Sequence, residues 1–207
     1  MLKSLLLFLT GLILASAVVQ ATVVHVDYGV LSSPNPLATN ESLTSGSSQQ
    51  SGFAFLGGNA GTATPGVSVV DEYQSPANVV TDYAYVGPGA QIIETFLTPV
   101  VYFGLYWGSP DSYNRITLTD AEGQQSSFAP GVGDLNGLTP DQTSPAYVEF
   151  FDNSDVAWIS ATFASSAPAF EFANVATANE PLPEPGAITL CAAGLVVIGL
   201  KRRRKRC

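Results

Sequence analysis

The sequence predicts an all-β protein: a single β-sandwich or jelly-roll-like domain over residues 22–178, flanked by an N-terminal signal-peptide helix and a C-terminal transmembrane helix. Three observations lead there. Between the termini, apolar runs are short, rich in Val, Ile, Phe, Tyr and Thr, and divided by Gly, Pro, Asn and Ser, the pattern of strands and turns. No window in that interval carries a convincing 3.6-residue apolar period. The long apolar stretches sit at the two ends of the chain.

At the N-terminus, Lys3 precedes the apolar stretch Leu5 to Val19, and Val19-Gln20-Ala21 closes it with small residues at the −3 and −1 positions. This is the pattern of a secretory signal peptide over 1–21, with cleavage by signal peptidase expected after Ala21. Eleven strands are then expected, at 23–28, 52–56, 67–73, 79–86, 92–97, 100–107, 115–119, 126–129, 147–151, 156–163 and 169–176. In 115–119, Ile116 and Leu118 alternate with polar neighbours, as in a half-buried strand. Residues 156–163 are apolar on both faces apart from Ser160 and Thr162, which suits the middle of a sheet. Residues 32–51, dominated by Ser, Thr, Asn, Gln, Gly and Pro, read as a long surface loop or a flexible arm.

Charge is segregated along the chain. Lys3 lies in the signal and six cations lie at the C-terminus, which leaves Arg115 as the only Lys or Arg between Thr22 and Pro181. Sixteen acids share that interval, a formal charge of −15. Nucleic acid is excluded as a partner, because binding it needs a basic footprint that displaces counterions from phosphate. Both cysteines, Cys191 and Cys207, fall outside 22–178, so the body has no disulfide and no thiol nucleophile, and at this size needs no staple. His25 is the one histidine, so a Ser-His-Asp triad or a histidine zinc site would have to be built around it alone.

Residues 179–207 form a tripartite tail. Pro183-Glu184-Pro185 is followed by the uncharged apolar run 186–200 and by Lys201, Arg202, Arg203, Arg204, Lys205 and Arg206. As a helix the run would reach about 22 Å, short for a hydrocarbon core of about 30 Å. Flanking cations can snorkel to the headgroups and hold the last residues on the cytoplasmic side. The arrangement resembles the PEP-CTERM sorting signal, a motif, a hydrophobic helix and an Arg-rich end that membrane enzymes called exosortases recognise and process. In the body, Tyr102-Phe103-Gly104-Leu105-Tyr106-Trp107-Gly108-Ser109-Pro110-Asp111-Ser112-Tyr113-Asn114 is similar to a recurrent block of a family of exosortase-dependent surface proteins. Ala169 to Ala176 is similar to that family's closing strand, with Ala173 where the family often has an acid. The resemblance runs from about Val100 to the end. It implies a secreted β-sandwich surface protein, exosortase as a partner, and transient residence in the inner membrane before release to the cell surface or matrix.

Two kinds of site follow from the residues themselves. Trp107, Asp111, Tyr113 and Asn114 surround one turn, where aromatic faces beside carboxylate and amide groups suit a sugar. The bland alternative is core aromatics next to a hydrogen-bonded turn. Asp134, Asn136, Asp152 and Asp155 place oxygen ligands in loops, as Ca²⁺ requires, although their spacing is not that of an EF-hand. No other cofactor is expected. The expectation is therefore an exported structural or adhesive protein associated with extracellular polysaccharide, without catalysis. The alternative is a lectin or carbohydrate-active enzyme on the same scaffold, since carboxylate pairs at a glycosidase separation are not excluded by sequence. An ice-binding surface ranks below both, because Thr62-Ala-Thr64 and Thr117-Leu-Thr119 are isolated in sequence rather than repeated.

Overall fold

A computed structural model describes residues 22–41, 43, 51–135, 138, 144–153 and 156–180, with backbone only at Ser51 and Asp134. The expected signal peptide, Ala21, the Pro183-Glu184-Pro185 motif, the apolar run and the basic cluster lie outside the described residues. Twelve strands occur among those described: β1 (Val23–Tyr28), β2 (Thr39–Asn40), β3 (Ser51–Leu56), β4 (Ala60–Ala63), β5 (Tyr83–Val86), β6 (Gln91–Val100), β7 (Tyr102–Trp107), β8 (Asn114–Asp120), β9 (Gln125–Phe128), β10 (Ala146–Phe151), β11 (Trp158–Ser165) and β12 (Phe170–Ala178). There is no α-helix among the described residues, only a 3-10 turn at Gly133–Leu135.

The strands form two antiparallel sheets. One has the order β1-β10-β7-β12-β5-β4, with β2 paired to β12; the other runs β3-β6-β11-β8-β9. Alternation along each strand sends one set of side chains inward. Phe103, Leu105 and Trp107 of β7 and Phe170 and Phe172 of β12 thereby meet Ile92, Phe96, Ile116, Leu118 and Phe163 of the second sheet in one core. Phe163 stacks on Phe172 at 4.1 Å between ring centroids, and Phe103 lies 6.0 Å from Phe163. The side between β1 and β9 is plugged by Leu135 and Leu138, both fully buried. As expected, β11 is the central strand of its sheet.

The two outer faces differ. On the first sheet, Tyr102, Tyr106, Tyr147, Glu149 and Glu171 point away from the core yet are buried, because chain from 30–41 and 63–79 crosses over them. Tyr106 Oη donates to the Ala77 carbonyl at 2.8 Å, Tyr83 Oη donates to that of Val67, and Asn174 Nδ2 donates to that of Leu31 at 2.5 Å. On the second sheet the register aligns Gln125, Thr119, Ser160 and Thr95 in one row and Ser127, Thr117, Thr162 and Ile93 in the next.

Several sequence expectations are corrected. Residues 67–73 do not form a strand. Val69 and Tyr73 make an isolated bridge around a turn in which Asp71 takes a left-handed φ of 63°, and Val67, Val69 and Val70 stay exposed. The expected strand 79–86 begins only at Tyr83. Strand β4 went unrecognised because Ala60-Gly61-Thr62-Ala63 lacks bulky residues. Gly61 lets the Tyr85 ring lie close over the strand, since a Cβ there would come 2.8 Å from Tyr85 Oη. Within 32–51, Thr39–Asn40 pairs with β12, Leu43 joins the core, and Ser51 opens β3. The Thr-x-Thr pairs fall on different sheets, Thr62 on β4 and Thr117 on β8, although strand register gives Thr117 and Thr119 hydroxyl neighbours that are distant in sequence.

Candidate functional site

The connections β7–β8 and β11–β12 meet at one end of the first sheet, and the segment 68–74 closes over them. Together they form a cleft of about 320 Å³ lined by Tyr73, Asp71, Glu72, Asp111, Tyr113 and Glu171, among others. The β7–β8 turn is rigid for local reasons. Asp111 N–H donates to the Ser109 carbonyl at 2.8 Å, and Asn114 N–H donates to that of Asp111 at 3.0 Å. Asn114 Nδ2 donates to the Ser109 carbonyl at 2.8 Å, and its Oδ1 accepts from Ser165 Oγ at 2.9 Å.

Of the four sequence-predicted glycan contacts, the structure brings two to the cleft. Tyr113 is half-buried, and its hydroxyl donates to Asp111 Oδ2 at 2.7 Å, 3.0 Å from the Pro168 carbonyl. Asp111 lines the cleft beside it. Trp107 does not reach it: the indole is fully buried and stacks on Phe170 at 4.4 Å between centroids. It lies on the core-facing side of β7, so it is a packing residue. Asn114 is also fully buried, with one end of its amide held by Ser109 in the turn and the other by Ser165 of β11. For these two positions the bland alternative holds.

The sequence reading missed Glu171. It is 3% exposed, with Oε1 accepting Gln74 N–H at 2.7 Å and Oε2 accepting Ser109 Oγ–H. Burial pushes its carboxyl above the ordinary value of 4.5; the hydrogen bonds from Ser109 and Gln74 oppose this, and the charge of Asp111 adds to it. The available signal was the single acid in Phe170-Glu171-Phe172. With both phenylalanines in the core, alternation puts Glu171 on the opposite face. Tyr73 was also missed as a site residue; it stacks on Tyr85 at 4.0 Å and 21°, a rigid aromatic wall beside the carboxyls. Tyrosine faces beside two carboxyls suit a sugar, since rings stack on its apolar face and carboxyl oxygens accept from its hydroxyls.

A second cleft, about 370 Å³, lies at the other end of the same sheet between β1, β10 and the segment 34–35, lined by His25, Asn35, Glu149, Phe151 and Asn153, among others. His25 is exposed on edge strand β1, 5.1 Å from the Phe151 ring, and is the register partner of Glu149. Ser33 Oγ lies 2.5 Å from Tyr102 Oη, which in turn donates to Glu149 Oε1 at 2.8 Å. Burial raises the Glu149 carboxyl and the Tyr102 hydroxyl above their ordinary values.

For the Ca²⁺ candidates, Asp152 follows β10, where its N–H donates to the Val101 carbonyl at 2.8 Å. Asp134 belongs to the 3-10 turn, and Asn136 and Asp155 lie outside the described residues. Among the described residues no three His, Cys, Asp or Glu side chains converge on a metal-sized site. No helix among them is long and apolar enough to cross a membrane. In comparisons with known proteins the chain matches no family model, no curated protein and no solved structure, so its function rests on the residues and the geometry above.

Proposed function

We propose that the chain is an exported, exosortase-processed protein of the cell surface or extracellular matrix, a single β-sandwich domain between two targeting segments with a structural or adhesive role. The observation that carries this is the order Pro183-Glu184-Pro185, apolar run, six cations, together with the signal-peptide pattern of residues 1–21. Signal peptidase would release the N-terminus, and the apolar run would hold the domain at the inner membrane until exosortase processing. Association with polysaccharide is supported by the cleft of Tyr73, Tyr113, Asp111 and Glu171. The −15 body favours a neutral glycan over a polyanionic one.

Mass spectrometry of the C-terminal peptide, on protein released from its host and from a strain lacking exosortase, tests the sorting step. A chain ending near 183–185, and longer in the mutant strain, is expected. An intact Cys207 in both strains would reduce the tail to an ordinary membrane anchor. A second reading, a carbohydrate-active enzyme, draws on the paired carboxyls Asp111 and Glu171. Reducing-sugar release by residues 22–180 that Glu171→Gln abolishes would establish it, and glycan binding without turnover would leave the lectin-like role. An ice-binding role draws only on the hydroxyl rows of the second sheet and is the weakest of the readings.

A further inference from the structure

The two ends of the folded domain leave it at the same pole. Val23, the first residue of β1, is the register partner of Phe151; Phe151 partners Tyr102, and Tyr102 partners Ala178, the last residue of β12. The four residues form one row across the sheet, so entry and exit lie three strand spacings apart, about 14 Å. The row at the other end of the same strands is Tyr28, Ala146, Trp107 and Phe172. The acidic, tyrosine-lined cleft belongs to that far end, because Ser109, Asp111 and Tyr113 follow β7 while Pro168 and Ala169 precede β12.

We infer that, while the tail is held in the bilayer, the pole bearing Val23, Phe151, Tyr102 and Ala178 faces the membrane and the cleft faces outward, toward extracellular ligand. This rests on reading 186–200 as a membrane segment. Five residue steps separate Ala178 from Pro183, a reach of at most about 18 Å. The two poles lie about 20 Å apart along six-residue β7, before any path around the flank of the domain is added. The tether is therefore too short to run back along the strand and invert the domain. The formal charge of −15 also opposes laying the domain's flank on an anionic bilayer. The cleft is thus accessible before processing, and release changes where the protein goes without uncovering the site.

The absence of cysteine from 22–178 makes the orientation measurable. Protein of residues 22–207, the expected mature chain, carrying Cys191→Ser and Cys207→Ser receives one donor fluorophore, through Ser112→Cys at the cleft end or Asn153→Cys at the opposite end. Both positions are exposed, and an unchanged melting temperature checks that each variant folds. The chains are inserted into phosphatidylethanolamine–phosphatidylglycerol vesicles bearing a headgroup-labelled acceptor lipid. In vesicles recovered by flotation, energy transfer from position 153 is expected to exceed that from 112 by about twofold, given poles about 20 Å apart along six-residue β7. Equal transfer, or stronger transfer from 112, in floated protein would overturn the orientation and leave the membrane tail standing. Protein that fails to float with the vesicles would overturn the tail reading and the orientation with it.

Discussion

Glu171 and Glu149 are where single residues have most leverage, because each is a carboxyl on an outward-facing strand position that neighbouring chain has buried. Both have folded-state affinities for protons above the ordinary carboxyl value. The folded state therefore binds more protons than the unfolded state just above pH 4.5, and its stability from this source is full below that value and falls as pH rises through the raised pKa. Urea denaturation of residues 22–180 across pH 4–8 is expected to show this decline, and Glu171→Gln, which keeps an acceptor for Gln74 N–H, should flatten it. A profile unchanged by the substitution would place Glu171 in contact with water. Trp107 and Tyr113 separate packing from binding: Trp107→Ala is expected to cost about 3–5 kcal/mol of stability, measured by denaturation. Tyr113→Ala, at a half-buried turn position, should cost under about 1 kcal/mol and instead weaken binding on a glycan array.

At the scale of elements, β12 is the strand on which the first sheet is organised. It pairs with β7, β5 and β2, so it is interior, and its final residues Ala176, Thr177 and Ala178 still pair with β7. A chain ended at residue 180 keeps all of these pairings and should melt like one ended at 185. Ending it at 174 removes that pairing together with buried Val175 and Ala176 and should prevent cooperative unfolding. The crossing segments depend on glycines in β7 and just after it. A Cβ on Gly104 would lie 2.6 Å from Tyr102 Oη and 2.8 Å from Tyr147 Cε1, and one on Gly108 would lie 2.6 Å from Pro76 Cγ. Gly104→Ala meets buried rings that have no room to yield, and is expected to cost about 1–3 kcal/mol. The long strands were legible because their apolar residues are bulky and bounded by turn formers. Strands β2 and β4 were not, since two residues in one case and Ala-Gly-Thr-Ala in the other carry no hydrophobic signal. Residues 67–73 misled in the opposite direction: their valines suggest a strand, but Asp71 takes a left-handed φ and the segment folds back on itself through the Val69–Tyr73 bridge.

For the molecule as a whole, sixteen acids against one cation within 22–181 make self-repulsion a steady destabilising contribution. Raising the ionic strength from about 0.01 M to about 0.15 M shortens the screening length from about 30 Å to about 8 Å and should raise the melting temperature of residues 22–180. A fall would show that specific ion pairs outweigh the repulsion. The common pole at which β1 begins and β12 ends gives this body a direction, with the row from Val23 to Ala178 at one end and the cleft at the other. One sheet is covered by crossing chain and the other presents rows of small hydroxyls, so the two flanks offer different surfaces to any neighbour.

The sequence by itself determined the all-β class, most strand positions and the acidity and cysteine-free character of the body, and it carries the two terminal patterns on which the proposed function rests. These are local properties, legible in residue type and spacing. The tertiary structure decided which aromatics are core and which are site. Trp107 and Tyr113 lie six residues apart and are equally suited to sugar on paper; strand alternation and the Phe170 ring bury the first, while the turn leaves the second half-exposed. It also decided that Glu171 and Asp111, 60 residues apart in sequence, line one cleft, and that β1 begins where β12 ends. Both follow from long-range strand pairing, which no local window of sequence encodes.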